Sequence, residues 1–234
     1  MGPPNTDDEW ERVARSDPYW AVLSHDEFTL ERMTPEVVER FYASGDAEVA
    51  DLLGLIRSRL DPGFAPRVAV DFGCGVGRML RGLAQHAEQA VGVDVSPTML
   101  ELARQRLNQF GVTNVDLVLS DDRLSEVPFG IDLVHSTIVF QHIPPTRGYD
   151  LFEQLVWRLG PGGCGVVHVH TAGGDGWLDR AWRAAVARRP SRSVLIRMYE
   201  YDPGRLLAIL AKAGIHEVLT RTNGAEMTLY FRRP

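Results

Sequence analysis

Acids stand near the ends of three apolar runs in the first two thirds of the chain, and a glycine-rich turn follows the first of them. Val68, Ala69 and Val70 lead into Asp71; Gly73, Gly75 and Gly77 come at every second position, and an apolar-periodic segment begins after them. This pattern reads as a buried strand, a tight turn and a helix start. A dinucleotide loop would need G-x-G-x-x-G, with the third glycine packing helix on strand beside a pyrophosphate. Here Arg78 occupies that third position. Asp71 would repel a pyrophosphate but suits a ligand that carries an ammonium group. The second run, Ala90 to Val95, carries Asp94 at its tip, where an acid can accept hydrogen bonds from both hydroxyls of a ribose. The third, Val115 to Asp122, ends in the paired acids Asp121 and Asp122. Together these residues describe a cradle for a positively charged nucleoside.

DFGCGVG (71–77) followed by VGVDVSPTMLELAR (91–104) resembles the first two motifs of the class I methyltransferases that use S-adenosylmethionine (SAM). The likeness runs from about Val68 to Gly165 and continues more loosely to the C-terminus. It implies SAM as cofactor, S-adenosylhomocysteine (SAH) as product and no metal. Asp71, Gly73, Cys74 through its backbone, Gly75 and Asp94 are then cofactor-binding. Val95 and Met99 border the adenine, and either Asp121 or Asp122 accepts from the adenine amino group. IDLVHSTIVFQHIPP (131–145) resembles the family's fourth strand and the turn after it, which brings Ser136 near the methionine part of SAM.

Candidate catalytic bases are His142, in the FQHIPP turn, and His170, near the end of the strand that follows a Pro-Gly-Gly turn. His168 and His170 are two residues apart and share one strand face; with no third ligand at a metal spacing they read as hydrogen-bonded imidazoles. Trp20 and Tyr199 are the candidate acceptor-binding aromatics. Between Ala172 and Asp202 an insertion with a helix over 177–188 carries Arg180, Arg183, Arg188, Arg189, Arg192 and Arg197. Guanidinium groups there would suit an acceptor carboxylate or phosphate, although Lys212 is the only lysine of the chain and arginine is spread throughout.

The elements that must position these groups are legible from caps and periods. Residues 1–8 lack an apolar period and are expected to be disordered. From Trp10 to Leu60 the chain reads as helical with breaks at Asp17-Pro18 and at Thr34-Pro35-Glu36, a cap followed by proline at the first helical position. This extension, residues 1–60, is expected to form a lid over a core of residues 61–234 that carries the cap insertion at about 172–202. Helices are expected over 77–87, after Ser96-Pro97, over 147–159 and after Asp202-Pro203, the last ended by Gly214. The final segment reads as two strands joined by Asn223-Gly224, so that one strand runs against the others. The fold class is α/β: a Rossmann-like, seven-stranded, mostly parallel sheet with one antiparallel strand, helices on both faces, and an N-terminal helical lid.

The chain has 234 residues, enough for one such domain without disulfides. Its net charge of −6 and lack of a basic, aromatic-interleaved stripe argue against nucleic acid. Two cysteines form neither a disulfide framework nor a metal spacing. With no apolar run near 18 residues and a polar, acidic start, no membrane partner is expected and the location is cytoplasmic. The expected activity is methyl transfer from SAM to a small-molecule O-, N- or C-nucleophile in secondary metabolism. The alternative is a SAM-binding protein of this fold that catalyses a non-methylating reaction or serves as a non-catalytic partner module. Oligomeric state and acceptor identity are not encoded in any of these patterns.

Overall fold

The computed structural model describes residues 6–171 and 197–234. The arginines of the insertion at 180–192 and the helix over 177–188 therefore lie outside the described residues.

Valine-rich runs buried on both faces form the centre of the sheet, as parallel strands covered by helices require. These are β1 (Val68–Phe72), β2 (Gln89–Asp94), β4 (Ile131–Ser136) and β5 (Leu159–His170). β3 (Val115–Leu119), only partly covered, is one edge. β6 (Val218–Asn223) and β7 (Glu226–Arg232) complete a seven-stranded sheet of order β3-β2-β1-β4-β5-β7-β6. β7 pairs antiparallel with both β5 and β6, and the remaining pairs are parallel. The strand order reverses between β1 and β4, the place where open α/β sheets leave a crevice beyond their strand tips.

Three predicted caps are made. The hydroxyl of Thr34 accepts from Val37 N at the start of α3 (Pro35–Arg59), and that of Ser96 from Met99 N at the start of α5 (Pro97–Gln109). The carboxylate of Asp202 accepts from Gly204 N at the start of the last helix, α7 (Pro203–Lys212). α4 (Arg78–His86) and α6 (Pro145–Arg158) lie within two residues of their expected spans. One apolar layer packs α6 and α7 on one sheet face; a second packs α3 and α4 on the other. A third cluster joins Ala14, Tyr19, Phe28, Phe41 and Tyr42 to Val76 of the glycine loop and Met99.

Three expectations are corrected. The hairpin register pairs Asn223 with Glu226, so the loop is Gly224-Ala225, with Gly224 at φ 61. The Gly160–Gly163 stretch is not a turn before β5 but lies within it, with a register jump between Ile131 and Leu133 on β4. Thr6 to Asp8 are the first turn of α1 (Thr6–Ser16), not disordered, because Thr6 and Asp7 bond to Arg147. A short α2 (Pro18–Val22) and two 3-10 turns link α1 to α3.

The glycine loop is held from both sides. A Cβ on Gly73 (φ 79) would lie 2.2 Å from a methyl of Val139, and one on Gly75 (φ 53) would lie 2.7 Å from Val22 on α2. Behind the loop, the buried Tyr42 hydroxyl donates to Val76 O at 2.7 Å, and burial raises its phenol well above the usual range. Tyr42→Phe leaves that buried carbonyl short of a partner, a loss of about 1–3 kcal/mol. Urea unfolding should show a lower midpoint at unchanged slope; an unchanged midpoint would remove Tyr42 as the support of the loop.

Candidate cofactor and acceptor site

A cavity opens beyond the tips of β1, β2, β3 and β4, enclosing about 820 Å³ with its mouth included. Phe72, Gly73 and Gly75 come from β1 and its loop, Val93, Asp94, Val95 and Met99 from β2 and the start of α5, and Ser120 from the end of β3. Thr137, Ile138, Val139, His142 and Ile143 follow β4. Arg147 and Leu151 of α6 form a further wall, and Thr6, Asp7 and Trp10 of α1 with Ala21 and Val22 of α2 form the roof.

Asp94 is the centre of the nucleoside half. One carboxylate oxygen accepts from Gly75 N at 2.8 Å and the other from Ser96 N at 2.9 Å, so it locks the glycine loop to the α5 cap. Each oxygen keeps a lone pair for a hydroxyl donor. Burial pushes its carboxyl up to about 6, against the opposing pull of the Ser96 and Gly75 amides and with a further push from Asp71. Next to it, Met99 and Val95 give the apolar surface that a purine ring needs. The residues fit a ribose-bearing nucleoside through a paired carboxylate at the β2 tip and a loop whose missing side chains leave room beside it.

Several predicted contacts lie elsewhere. Asp71 does not line the cavity: strand alternation turns it to the face opposite Phe72, where its carboxylate lies 2.7 Å from His135 Nδ1. Cys74 is not among the lining residues; its amide donates to Val93 O and its carbonyl accepts from Gly77 N. Ser136 is buried and its hydroxyl donates to Phe72 O, closing the end of the β1–β4 pair. Neither Asp121 nor Asp122 faces the cavity. Asp121 accepts from the amides of Arg123 and Ser125 and caps its own turn, which holds its carboxyl below the usual range. Asp122 accepts from Arg147 Nε at 2.6 Å, and Ser120 takes its place in the lining.

Of the two histidines, His142 lines the cavity with its ring 5.0 Å from that of Trp10. Burial lowers its imidazole to about 4, so it is neutral at pH 7. Its Nδ1 pairs with Arg197 O at 3.0 Å and its Nε2 with the Gln141 amide at 3.2 Å. His170 lies on β5, buried and outside the lining. Trp20 and Tyr199 are also outside it: Trp20's neighbours Ala21 and Val22 face the cavity instead, and Tyr199 donates its amide to Gln141 O. Of the aromatics in the N-terminal extension, Trp10 is the one that lines the cavity among the described residues. Its signal was the helical spacing of Thr6, Asp7 and Trp10, which puts one turn of α1 on one face.

α1 is fastened at two points. Glu11 accepts from the Ser96 and Thr98 hydroxyls, each at 2.6 Å, and from Thr98 N. Burial opposes its charge, but these bonds and one from Arg15 outweigh it and bring the carboxyl down to about 2. Asp7 takes both terminal nitrogens of Arg147, at 2.6 and 2.9 Å. Among the described residues, no group of three or more His, Cys, Asp or Glu could hold a metal ion, and no helix is long and apolar enough to cross a membrane.

The strand order, the glycine loop and an acid at the β2 tip define a nucleoside-binding transferase of the methyltransferase kind. A family model described as a methyltransferase domain matches residues 69–163. The trans-aconitate 2-methyltransferase of Methylobacterium radiotolerans is 30% identical over 198 residues, covering 80% of this chain and 71% of that protein. Among solved structures, the magnesium protoporphyrin IX methyltransferase of Synechocystis with bound SAM has a TM-score of 0.65 at 17% identity over the whole of both chains. The N-methyltransferase NodS of Bradyrhizobium japonicum in complex with SAH has a TM-score of 0.61 at 20% identity, over 99% of this chain and 100% of that one. This chain belongs to the class I SAM-dependent methyltransferases.

If Asp94 is the ribose acceptor, its ionised form is the binding form, and the ionised fraction falls as pH drops through about 6. SAH affinity measured by calorimetry should be roughly tenfold weaker at pH 5 than at pH 7.5, and Asp94→Asn should bind weakly at both. Equal wild-type affinity at the two pH values would contradict the assignment.

Proposed function

We propose that this chain transfers the methyl group of SAM to a small organic acceptor, an O-, N- or C-nucleophile, in the secondary metabolism of the cytoplasm, without a metal. The observation that carries this reading is the roof. α1 and α2 cover the cavity with Thr6, Asp7, Trp10, Ala21 and Val22, a concave, mostly apolar site of the kind that holds a small molecule. The names of the similar proteins support it, since trans-aconitate and magnesium protoporphyrin IX are small organic acceptors.

When bound, SAM supplies an activated methyl group on a positively charged sulfur, so the driving force is the cofactor's own. Asp94 binds and orients the ribose, and Val95 and Met99 pack the base. The apolar wall of Phe72, Ile138, Val139, Ile143 and Leu151, with Trp10 above it, excludes water and holds the acceptor in line. Arg147, the one permanent cation among the described lining residues, ties the roof to α6 through Asp7.

The test is incubation with methyl-labelled SAM and a panel of small phenols, alcohols, amines and carboxylic acids, following labelled product and SAH together. Labelled product with equimolar SAH is the expected result. Asp94→Ala should weaken SAM binding roughly ten- to a few hundredfold, the loss of one or more charged hydrogen bonds of about 1.5–3 kcal/mol each. Tight SAM binding with no methylated product from any class would favour the non-methylating or partner-module reading.

A further inference from the structure

The tip of β4 carries a chain of three side chains that the nucleoside half does not use. Asp71 and His135 are register partners on β1 and β4 and are almost completely buried, 3% and 1% exposed. Asp71 Oδ1 lies 2.7 Å from His135 Nδ1, and His135 Nε2 lies 2.8 Å from Thr137 Oγ1. Thr137 lines the cavity. A carboxylate has no proton to give, so Nδ1–H donates to Asp71, Nε2 holds the lone pair, and the Thr137 hydroxyl donates to Nε2. The Thr137 oxygen is then left as an acceptor at the cavity wall. The next residue, Ile138, is held at φ 63, a conformation that a β-branched residue adopts only when its surroundings impose it. That turn sets Thr137, Ile138 and Val139 on one stretch of the cavity wall.

We propose that Asp71, His135 and Thr137 form the proton relay of this enzyme, and that its acceptor is a nucleophile still carrying its proton at neutral pH: a phenol, alcohol or amine. The inference rests on the methyl-transfer reading and narrows it. Carboxylate, imidazole and hydroxyl stand in the order in which an imidazole takes a proton from a hydroxyl while the carboxylate fixes its tautomer. In the step, the acceptor's proton moves to Thr137 Oγ1 as Thr137's own proton moves to His135 Nε2. The electron pair freed on the acceptor forms the bond to the methyl carbon, and the carbon–sulfur pair stays on sulfur, which becomes neutral. The imidazolium is held beside Asp71 until it returns the proton to solvent. A carboxylic acid, with its ordinary pKa near 4, arrives without a proton and needs no relay. His142 lacks this arrangement: its Nδ1 pairs with a backbone carbonyl and its Nε2 with the Gln141 amide, so no carboxylate fixes its tautomer.

Two measurements on the full chain test this. Long-range proton–nitrogen NMR needs no acceptor: His135 should show the Nδ1-protonated neutral tautomer, and Thr137→Val should shift its Nε2 resonance. An Nε2-protonated ring would overturn the relay. With an acceptor returned by the labelled-methyl screen, Thr137→Val should lower kcat on the order of a hundredfold or more, with KM and SAH affinity unchanged. Thr137→Ser should restore most of the rate, and His135→Gln should match the Thr137→Val loss if it folds. Unchanged kcat in Thr137→Val, loss of its SAH affinity, or a screen yielding only methyl esters would each overturn the relay while leaving methyl transfer intact. No labelled product from the wild type would remove both.

Discussion

The site depends on one carboxylate that joins two backbones. Asp94 accepts from the amide of the glycine loop and from the amide that begins the α5 cap, so the tips of β1 and β2 cannot move independently. Its environment is costly for a charge, which is why burial raises its carboxyl to about 6. Two amide donors offset part of that cost, and a ribose would add two more. A single side chain therefore sets the geometry of the loop at the cavity wall.

The roof is joined to this centre through polar contacts as well as through the apolar cluster that Ala14 and Tyr19 share with Phe41, Tyr42, Val76 and Met99. Glu11 reaches the hydroxyl of Ser96, whose amide Asp94 holds, and Asp7 reaches Arg147 on the far wall. The partly exposed Asp7–Arg147 ion pair contributes little to stability by itself. Ala14 and Tyr19 are almost fully buried in that cluster.

The sheet, its antiparallel strand and the caps at Thr34, Ser96 and Asp202 were legible because each rests on local chemistry: valine runs, cap hydroxyls and carboxylates, prolines at first helical positions. The places of Asp94, Val95, Met99, Gly73 and Gly75 at the strand ends and in the loop, where they line the cavity, were legible for a similar reason, since strand ends and loop glycines can be counted along the chain. Asp71 was misplaced because its spacing shows that it ends a strand but not which face it takes, and the face is decided by its partner on β4, 64 residues away. Asp121 and Asp122 were misplaced because an acid after a strand can cap its own turn or meet a distant arginine as readily as a ligand. Trp20 and Tyr199 gave way to Trp10 because which aromatic reaches the cavity depends on how α1 and α2 are docked, and those contacts are all long-range. The Asp71–His135–Thr137 chain was hidden for the same reason: its middle member is unremarkable until two strands are set side by side.

The most direct test of this arrangement is a crystal structure of the full chain grown with SAH. The expected result is a ribose with both hydroxyls on the Asp94 carboxylate, the base against Met99 and Val95, and α1 closed above it. A nucleoside bound away from the β2 tip, with Asp94 still bonded only to its two amides, would contradict it.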